Sequence, residues 1–285
     1  TISGVAGAQL LKFQTSGTVG NIITLLFETG AVLEAPFFTG GAIDLNGKSY
    51  ILIDGGATCG IVNQVPIAIG LCNGIIRTTA NGTNLTYQND SYAILQSGVP
   101  TDNEIRNIVC QGYVRVDAND NGHAPDGVGS KCIYFFNSGW TNVRIHHNNL
   151  QHGARLIYLD YQGNTSQTTK IYNNYIADTG FGIGLNGSAN NSFATDIQIY
   201  NNEITNWDNW VSPSSTFHSN GMFIFAACLE SESCGLGDSG SNVYNNYIHG
   251  DLNGAFAGAS ASGFIHTESG GIFNIFNNIL IAPPP

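Results

Sequence analysis

"VRIHHNNL" at residues 143–150 and "TKIYNNYI" at 169–176 are two of five near-copies of one phrase in the second half of the chain. The others are "IQIYNNEI" at 197–204, "NVYNNYI" at 242–248 and "NIFNNIL" at 274–280. Each contains an aliphatic residue, an aromatic residue or His, a His or Asn, an Asn, any residue, and then Ile or Leu. The aliphatic positions, spaced 26, 28, 44 and 32 residues apart, are Ile145, Ile171, Ile199, Val243 and Ile275. This is a structural repeat with insertions.

The phrase predicts a strand, a corner and a second strand. Ile145 and Leu150 are both expected to face a core, yet they are five positions apart. A flat strand places only residues an even number apart on one face, so the chain must turn within the phrase. We predict that the turn residue is the Asn at the fourth position counted from the aliphatic residue, which we call the second Asn, because Asn tolerates left-handed backbone dihedrals. These residues are Asn148, Asn174, Asn202, Asn246 and Asn278. Gly-bearing apolar runs such as "GARLIYLDY" and "SGFIHTES" follow as further strands.

Such a unit cannot bury its apolar face alone and must stack on copies of itself. Stacking at ~4.8 Å per strand would place the corner Asn side chains in a hydrogen-bonded column. A second column would contain Tyr172, Tyr200, Tyr244 and Phe276, with His146 at its head. At these residues the chain resembles the right-handed parallel β-helix proteins of the pectin-lyase-like superfamily. The resemblance implies an all-β fold, a single right-handed parallel β-helix (solenoid) with Asn-corner repeats.

One domain spanning residues 1–285 is the simplest organisation, because no linker divides the chain. The chain begins with Thr1, so we expect a processed product, or a fragment or module of a longer chain. No apolar run reaches the ~18 residues of a membrane span. Lys and Arg total 9 against 20 Asp and Glu, a net charge of −11. This balance argues against nucleic acid and anionic membranes as partners, since neither would meet a basic surface.

The cysteines predict an oxidising, extracellular or cell-surface location. They fall into three couples close in sequence, Cys59 with Cys72, Cys110 with Cys132, and Cys228 with Cys234. None has the C-x-x-C spacing of a zinc site, so we predict three disulfides, the alternative being buried free thiols. Six N-x-S/T sequons are candidate N-glycosylation sites. They begin at Asn81, Asn84, Asn89, Asn164, Asn186 and Asn190.

The resemblance brings two classes of activity, polysaccharide lyases and glycoside hydrolases, including tailspike-like depolymerases. A uronate lyase needs a base together with positive charge or calcium. The chain has only four Lys and five Arg, which argues against the lyase class. A hydrolase needs two carboxylates within ~5–9.5 Å. In the runs after the corner the acids are Asp160 and Glu268, about three phrases apart. That separation corresponds to ~14 Å, too far for a pair.

Several residues are candidates for catalysis or for glycan contact. His266 and Glu268 are two apart on a predicted strand, hence on one face, and could act as a base and its orienting carboxylate. His218 begins another run and is a further catalytic candidate. The alternative is that it belongs to a hydrogen-bonded turn. Trp207 and Trp210 lie in the long 44-residue interval, in a loop expected to protrude. They could stack on sugar rings, pack against another copy of the chain or be buried within their own loop.

A calcium site is predicted at "RVDANDNGHAPDG". Asp117, Asn119 and Asn121 match the first half of a D-x-N-x-N-G calcium loop. The twelfth position is Val128 instead of Glu, and Asp126 could substitute for it. The alternative is an ordinary Asn/Asp/Gly turn. Calcium is the one cofactor that the sequence suggests.

Two functions of different class follow. The first is an extracellular, glycosylated, non-catalytic scaffold, a coat, filament or adhesion component that contacts glycans or assembles with itself end to end or laterally. The second is a polysaccharide-degrading enzyme. The fold alone does not choose between them.

Overall fold

We describe the protein from a computed structural model. The structure describes residues 1–82, 85–114, 129–136, 138–161, 165–187, 193–206, 219–225, 240–250, 261–268 and 273–282. Within these ranges strands are the main regular structure, and the single helical segment is a short 3-10 turn, Ile69–Leu71. The all-β class predicted from the sequence is therefore confirmed.

Twenty-five strands are present in the described ranges. The first twelve are β1 Ile2–Ser3, β2 Leu11–Lys12, β3 Ile23–Leu26, β4 Val32–Ala35, β5 Ile43–Asp44, β6 Ile51–Asp54, β7 Ile61–Val62, β8 Val65–Pro66, β9 Ile75–Thr78, β10 Tyr92–Gln96, β11 Glu104–Arg106 and β12 Val109–Gln111. The next seven are β13 Lys131–Phe135, β14 Trp140–His146, β15 Asn149–Asp160, β16 Thr165–Tyr172, β17 Tyr175–Asn186, β18 Phe193–Tyr200 and β19 Glu203–Thr205. The last six are β20 Ser219–Phe225, β21 Ser241–Tyr244, β22 Tyr247–His249, β23 Ala261–Glu268, β24 Phe273–Phe276 and β25 Ile279–Ile281.

One parallel sheet contains the first strand of every repeated phrase. Its eight strands lie in the order β24, β21, β18, β16, β14, β11, β6 and β3. The aliphatic residues that begin the phrases are in register, as in the pairing of Ile145 with Ile171 and of Ile171 with Ile199. These three side chains are fully buried. Each such burial stabilises the fold by about 1.5–3 kcal/mol.

A second sheet of fifteen strands contains the second half of each phrase and the run that follows it. The long strands β15 and β17 join two rows of this sheet. Residues 149–151 of β15 pair with β12, while residues 155–159 pair with β13. The chain thus passes repeatedly from the eight-stranded sheet into the larger one, with parallel pairing throughout both. Long parallel sheets of this kind are compatible with a β-helix.

The corner between the two sheets differs in one detail from the prediction. The left-handed residue is the one before the predicted Asn, with φ of 54° at Asn173 and 54° at Asn201. The predicted turn residues instead point inward, and Asn174 and Asn202 are buried. The prediction that the second Asn adopts the left-handed conformation was therefore wrong by one position. The physical reason is that the buried position needs an amide to satisfy the surrounding backbone, whereas the left-handed position is the exposed one.

The inner asparagines, Asn148, Asn174, Asn202, Asn246 and Asn278, form the Asn ladder that the sequence predicted. Each Nδ2 donates to the Oδ1 of the next member at 2.9–3.0 Å. Each Nδ2 also donates to a carbonyl of the preceding strand, as from Asn202 to Ile171 at 3.0 Å. The Oδ1 atoms in turn accept backbone N–H groups, so buried polar groups of the corner are paired.

The predicted aromatic column is also present on the outer side of the eight-stranded sheet. His146 stacks on Tyr172 with ring centres 4.5 Å apart, and Tyr172 stacks on Tyr200 at 4.9 Å. The column continues through Tyr244 to Phe276 at 5.1 Å per step. In-register parallel strands bring identical ring positions to this stacking distance.

Two of the three predicted disulfides are confirmed. Cys59 bonds to Cys72 and Cys110 bonds to Cys132, closing segments of 13 and 22 residues. The couple Cys228 and Cys234 lies outside the described residues. The first disulfide closes a segment that includes the antiparallel hairpin of β7 and β8.

Candidate functional site

The left-handed corner residues form a column of their own, which we call the outer column. Its members are His147, Asn173, Asn201, Asn245 and Asn277, with φ between 53° and 55°. Asn173 donates from Nδ2 to Nε2 of His147 at 3.1 Å. The exposed amides of Asn201, Asn245 and Asn277 form no side-chain hydrogen bond with the described part of the chain. Three neighbouring strands therefore present three unpaired amides in a row.

These amides line a groove with a volume of about 880 Å³, which we call the corner groove. One wall carries Glu203 and Tyr247 from the adjacent strands β19 and β22. The β7–β8 hairpin bounds the groove at its His147 and Asn173 end, and residues 61–64 of the hairpin line the groove. Tyr247 is 36% exposed and stacks on His249 with ring centres 4.0 Å apart. The groove thus combines repeated amides with an aromatic side chain.

The charge within the corner groove is small. Among the described residues Glu203 is the only acidic one that lines it, and Nε2 of His249 lies 2.9 Å from the Glu203 Oε1. The same part of the chain contributes no Lys or Arg to the lining. Burial, together with His146 and Arg106, lowers the pKa of His147. At neutral pH His147 is therefore uncharged, and the groove suits a neutral ligand with many hydroxyl groups.

Behind His147 a hydrogen-bonded network of charged groups lies on the eight-stranded sheet. Nδ1 of His147 lies 2.7 Å from Nδ1 of His146, whose Nε2 lies 3.2 Å from Oε1 of Glu104. Hydrogen bonding from His146, and then from Arg144, lowers the pKa of Glu104 to about 2 against the opposing effect of burial. Arg106 links Glu104 to Asp54 through contacts of 2.9 and 2.7 Å. The network thus links His147, which lines the groove, to Asp54 on β6 of the eight-stranded sheet.

A second cluster lies on β13 and β15, where pairing places Lys131 beside Arg155. Nζ of Lys131 lies 4.7 Å from the ring centre of Tyr134 and 5.0 Å from that of Tyr92. Burial, followed by repulsion from Arg155, lowers the pKa of Lys131 to about 8. The Arg155 guanidinium lies 4.7 Å from the ring centre of Tyr158. We call these five residues the Lys131 cluster.

The structure describes only some of the residues proposed for catalysis. His266 lies on β23, where its ring is 5.3 Å from that of Phe223. The backbone of Glu268 ends the same strand, but its side chain lies outside the described residues, so the predicted pair stays a prediction. Asp160 and Glu268 are three strand positions apart in register, as expected. His218, Trp207, Trp210 and the predicted calcium ligands Asp117, Asn119, Asn121 and Asp126 lie outside the described ranges.

The sequons differ in accessibility. Asn81 is fully buried, and its Nδ2 donates to the carbonyl of Asn89 at 2.9 Å. A glycan on Asn81 would need this same nitrogen to be exposed, so that candidate is not compatible with the folded chain. Asn89 is exposed and Asn186 is half-buried. Asn84, Asn164 and Asn190 lie outside the described residues.

No group of three potential metal-binding side chains occurs among the described residues. In the same part of the chain, no helix has the length and apolar character needed to cross a bilayer. Comparison with protein-family models, curated proteins and solved structures finds no significant match to this chain. The site must therefore be interpreted from its own chemistry.

Sequence reasoning missed both the corner groove and the Lys131 cluster. A signal for the cluster existed, because Lys131 and Arg155 are 24 residues apart, as are Tyr134 and Tyr158. That spacing is close to the 26-residue interval between the first two phrases. No comparable local signal marked the groove, since the hairpin contacts residues more than 80 positions later in the chain.

Proposed function

We propose that the protein is an extracellular, non-catalytic structural or adhesive component that binds a neutral glycan in the corner groove. The finer fold assignment belongs to this proposal: a single right-handed parallel β-helix of the pectin-lyase-like class. The Asn ladder, the aromatic column and the two disulfides support a rigid, extracellular scaffold. N-glycosylation at Asn89 is part of the same proposal.

The observation that carries the glycan-binding proposal is the row of unpaired amides at Asn201, Asn245 and Asn277. A side-chain amide offers two N–H donors and one carbonyl acceptor, which matches the mixed donor and acceptor character of sugar hydroxyls. Successive amides are one strand apart, ~4.8 Å, which is close to the length of one pyranose unit in a linear chain. A ligand with repeating hydroxyl groups can therefore meet an amide at every unit.

The neighbouring Asn ladder provides the necessary contrast. Asn202 and Asn246 have their amides committed to backbone and side-chain partners. Asn201 and Asn245 directly precede them, and their side-chain amides form no hydrogen bond with the described residues. The left-handed φ of these outer residues is satisfied by Gly as well as by Asn. A change to Gly consequently removes the amide and leaves the backbone conformation unstrained.

Affinity electrophoresis in gels containing neutral or acidic polysaccharides tests the proposal. The wild-type protein should be retarded by at least one neutral glycan, and a protein with both Asn201→Gly and Asn245→Gly should migrate freely. The control is Asn46→Gly, another left-handed Asn (φ 51°) outside the groove, whose Nδ2 donates to the Phe13 carbonyl at 3.0 Å; this variant removes an amide that the proposal does not assign to the glycan. Equal retardation of the double variant and the control, or retardation by acidic glycans alone, would contradict the proposal.

The second candidate function, a polysaccharide-degrading enzyme, is favoured by the Lys131 cluster. An amine with a pKa of about 8 is partly neutral near physiological pH and can accept a proton, and Arg155 beside it can neutralise a carboxylate. A uronate lyase needs this combination. Its test is the ultraviolet absorbance of unsaturated products released from acidic polysaccharides. Activity that Lys131→Met abolishes and the exposed Lys170→Met retains would favour the enzyme over the scaffold.

A further inference from the structure

The β7–β8 hairpin, residues 61–66, stands at one end of the corner groove. The backbone N–H of Ile61 donates to the carbonyl of Asn173 at 2.9 Å, and Nδ2 of Asn149 donates to the carbonyl of Ile67 at 3.3 Å. The hairpin is therefore fastened across the outer column at Asn173 and His147. Beyond it the groove continues along Asn201 and Asn245 as far as Asn277.

The hairpin is fixed in this position at its base. Gly60 has φ of 67°, and a Cβ there would lie 2.5 Å from the Asn173 carbonyl oxygen and 2.6 Å from the His147 carbonyl carbon. Only Gly allows so close an approach between two backbones. The disulfide from Cys59 to Cys72 closes the segment beside Gly60. The end of the groove is consequently a built wall and not a loosely placed loop.

The tip of the hairpin is polar where it faces the groove. Asn63 and Gln64 have φ of 50° and 65°, both are exposed, and both line the groove. Neither forms a side-chain hydrogen bond with the described part of the chain. Their amides continue the hydrogen-bonding character of Asn201 and Asn245, but they meet the ligand from its end.

We infer that the corner groove recognises the end of a neutral glycan chain, with the terminal unit against Asn63 and Gln64. An internal stretch of a polymer lying along the row of amides would meet the hairpin, because the backbone at Gly60 and Ile61 contacts Asn173 and His147 across the line of the groove. This inference rests on the proposed glycan binding and adds which part of the glycan is bound.

Stoichiometry tests this inference on the wild-type protein, without a variant. Isothermal titration is carried out with a short and a long fraction of each of three linear neutral glycans: amylose, β-1,4-mannan and β-1,3-glucan. We expect a fixed number of protein molecules per glycan chain at both lengths, because each chain has the same number of ends. A number of bound molecules that rises in proportion to chain length would overturn chain-end recognition while leaving glycan binding intact. Absence of binding to all three glycans would overturn both.

A hairpin variant supplies the converse result. Replacing residues 61–66 by two glycines, with Cys59 and Cys72 retained, should open the closed end and make the stoichiometry rise with chain length. Gly60→Ala is a milder change that should displace the hairpin from Asn173 and act in the same direction. The unfolding temperature of each variant shows whether the remainder of the fold is preserved. Folded variants that keep the wild-type stoichiometry would show that the hairpin is not what stops the chain.

Discussion

Replacing Asn202 by Leu removes the central side-chain amide of the Asn ladder. Its Oδ1 accepts the backbone N–H of Asn174 at 3.1 Å and the Asn174 Nδ2 at 2.9 Å. Its Nδ2 donates to Asn246 and to the carbonyl of Ile171, both at 3.0 Å. Leu occupies a similar volume but offers neither a donor nor an acceptor. The substitution therefore leaves buried polar partners without their bond on both sides.

The expected destabilisation follows from those partners. The Asn174 Nδ2 keeps its bond to the Ile145 carbonyl, and the Asn246 Oδ1 keeps the backbone N–H of residue 202. The Asn174 backbone N–H loses the acceptor described above. One orphaned buried donor costs about 1–3 kcal/mol, and the weakened neighbours bring the total to roughly 2–4 kcal/mol.

Equilibrium unfolding in urea, followed by circular dichroism, measures this loss. The matched control is Asn201→Gly, one position earlier, whose exposed amide makes no hydrogen bond with any residue that the structure describes and whose left-handed φ suits Gly. The control should change the free energy of unfolding by less than about 0.5 kcal/mol. If Asn202→Leu cost no more than Asn201→Gly, the reasoning that assigns the inner Asn to the fold would be refuted.

Three further predictions concern charge and cross-linking. Glu104 has a pKa of about 2 in the folded chain against 4.5 unperturbed. It therefore stabilises the fold above pH 4.5 by at most about 3 kcal/mol, a ceiling that solvent screening of this partly exposed carboxyl lowers, and the contribution is lost as pH falls from 4.5 towards 2. Glu104→Gln should flatten the acid limb of a stability–pH curve, and an unchanged limb would contradict this. Lys131, with its pKa lowered from 10.5 to about 8, costs stability while charged, so the stability of the wild-type protein relative to Lys131→Met should rise from pH 8 to 10.5. Lys131→Met should therefore stabilise the protein at pH 7 by up to about 3 kcal/mol in urea unfolding, and a destabilised variant would show that the ring contacts outweigh burial. Replacing Cys59 and Cys72 by Ser should cost about 3 kcal/mol by thermal unfolding, and an unchanged midpoint would deny the disulfide a stabilising role.

The sequence predicted the strand–corner–strand unit because its periodicity breaks within the phrase. Ile145 and Leu150 both face the core, as their spacing required. The two ladders were predictable because in-register stacking repeats whatever side chain each position holds. The repeat itself distinguishes the buried corner position from the left-handed one. The second Asn occurs in all five phrases, whereas the first is replaced by His147 in one. The buried position is the one that tolerates no substitution within the repeat.

The corner groove could not be predicted from local patterns, because it depends on contacts between distant parts of the chain. The segment "CGIVNQVPIAIGLC" suggests a disulfide-closed loop, but nothing in it indicates that Gly60 rests on the backbone at Asn173. Likewise the free amide of Asn201 and the committed amide of Asn202 belong to identical neighbouring residues. Only the direction of each side chain separates the structural role of Asn202 from the ligand-binding role that we propose for Asn201.

We propose that the protein holds a neutral glycan without cleaving it. The most direct test is mass spectrometry of the glycan recovered after prolonged incubation with the protein, with and without added calcium. The glycan should bind in the corner groove and be recovered at its original length distribution, with neither new reducing ends nor unsaturated ends. Shortened chains after incubation with the wild-type protein would contradict the claim and establish an enzyme.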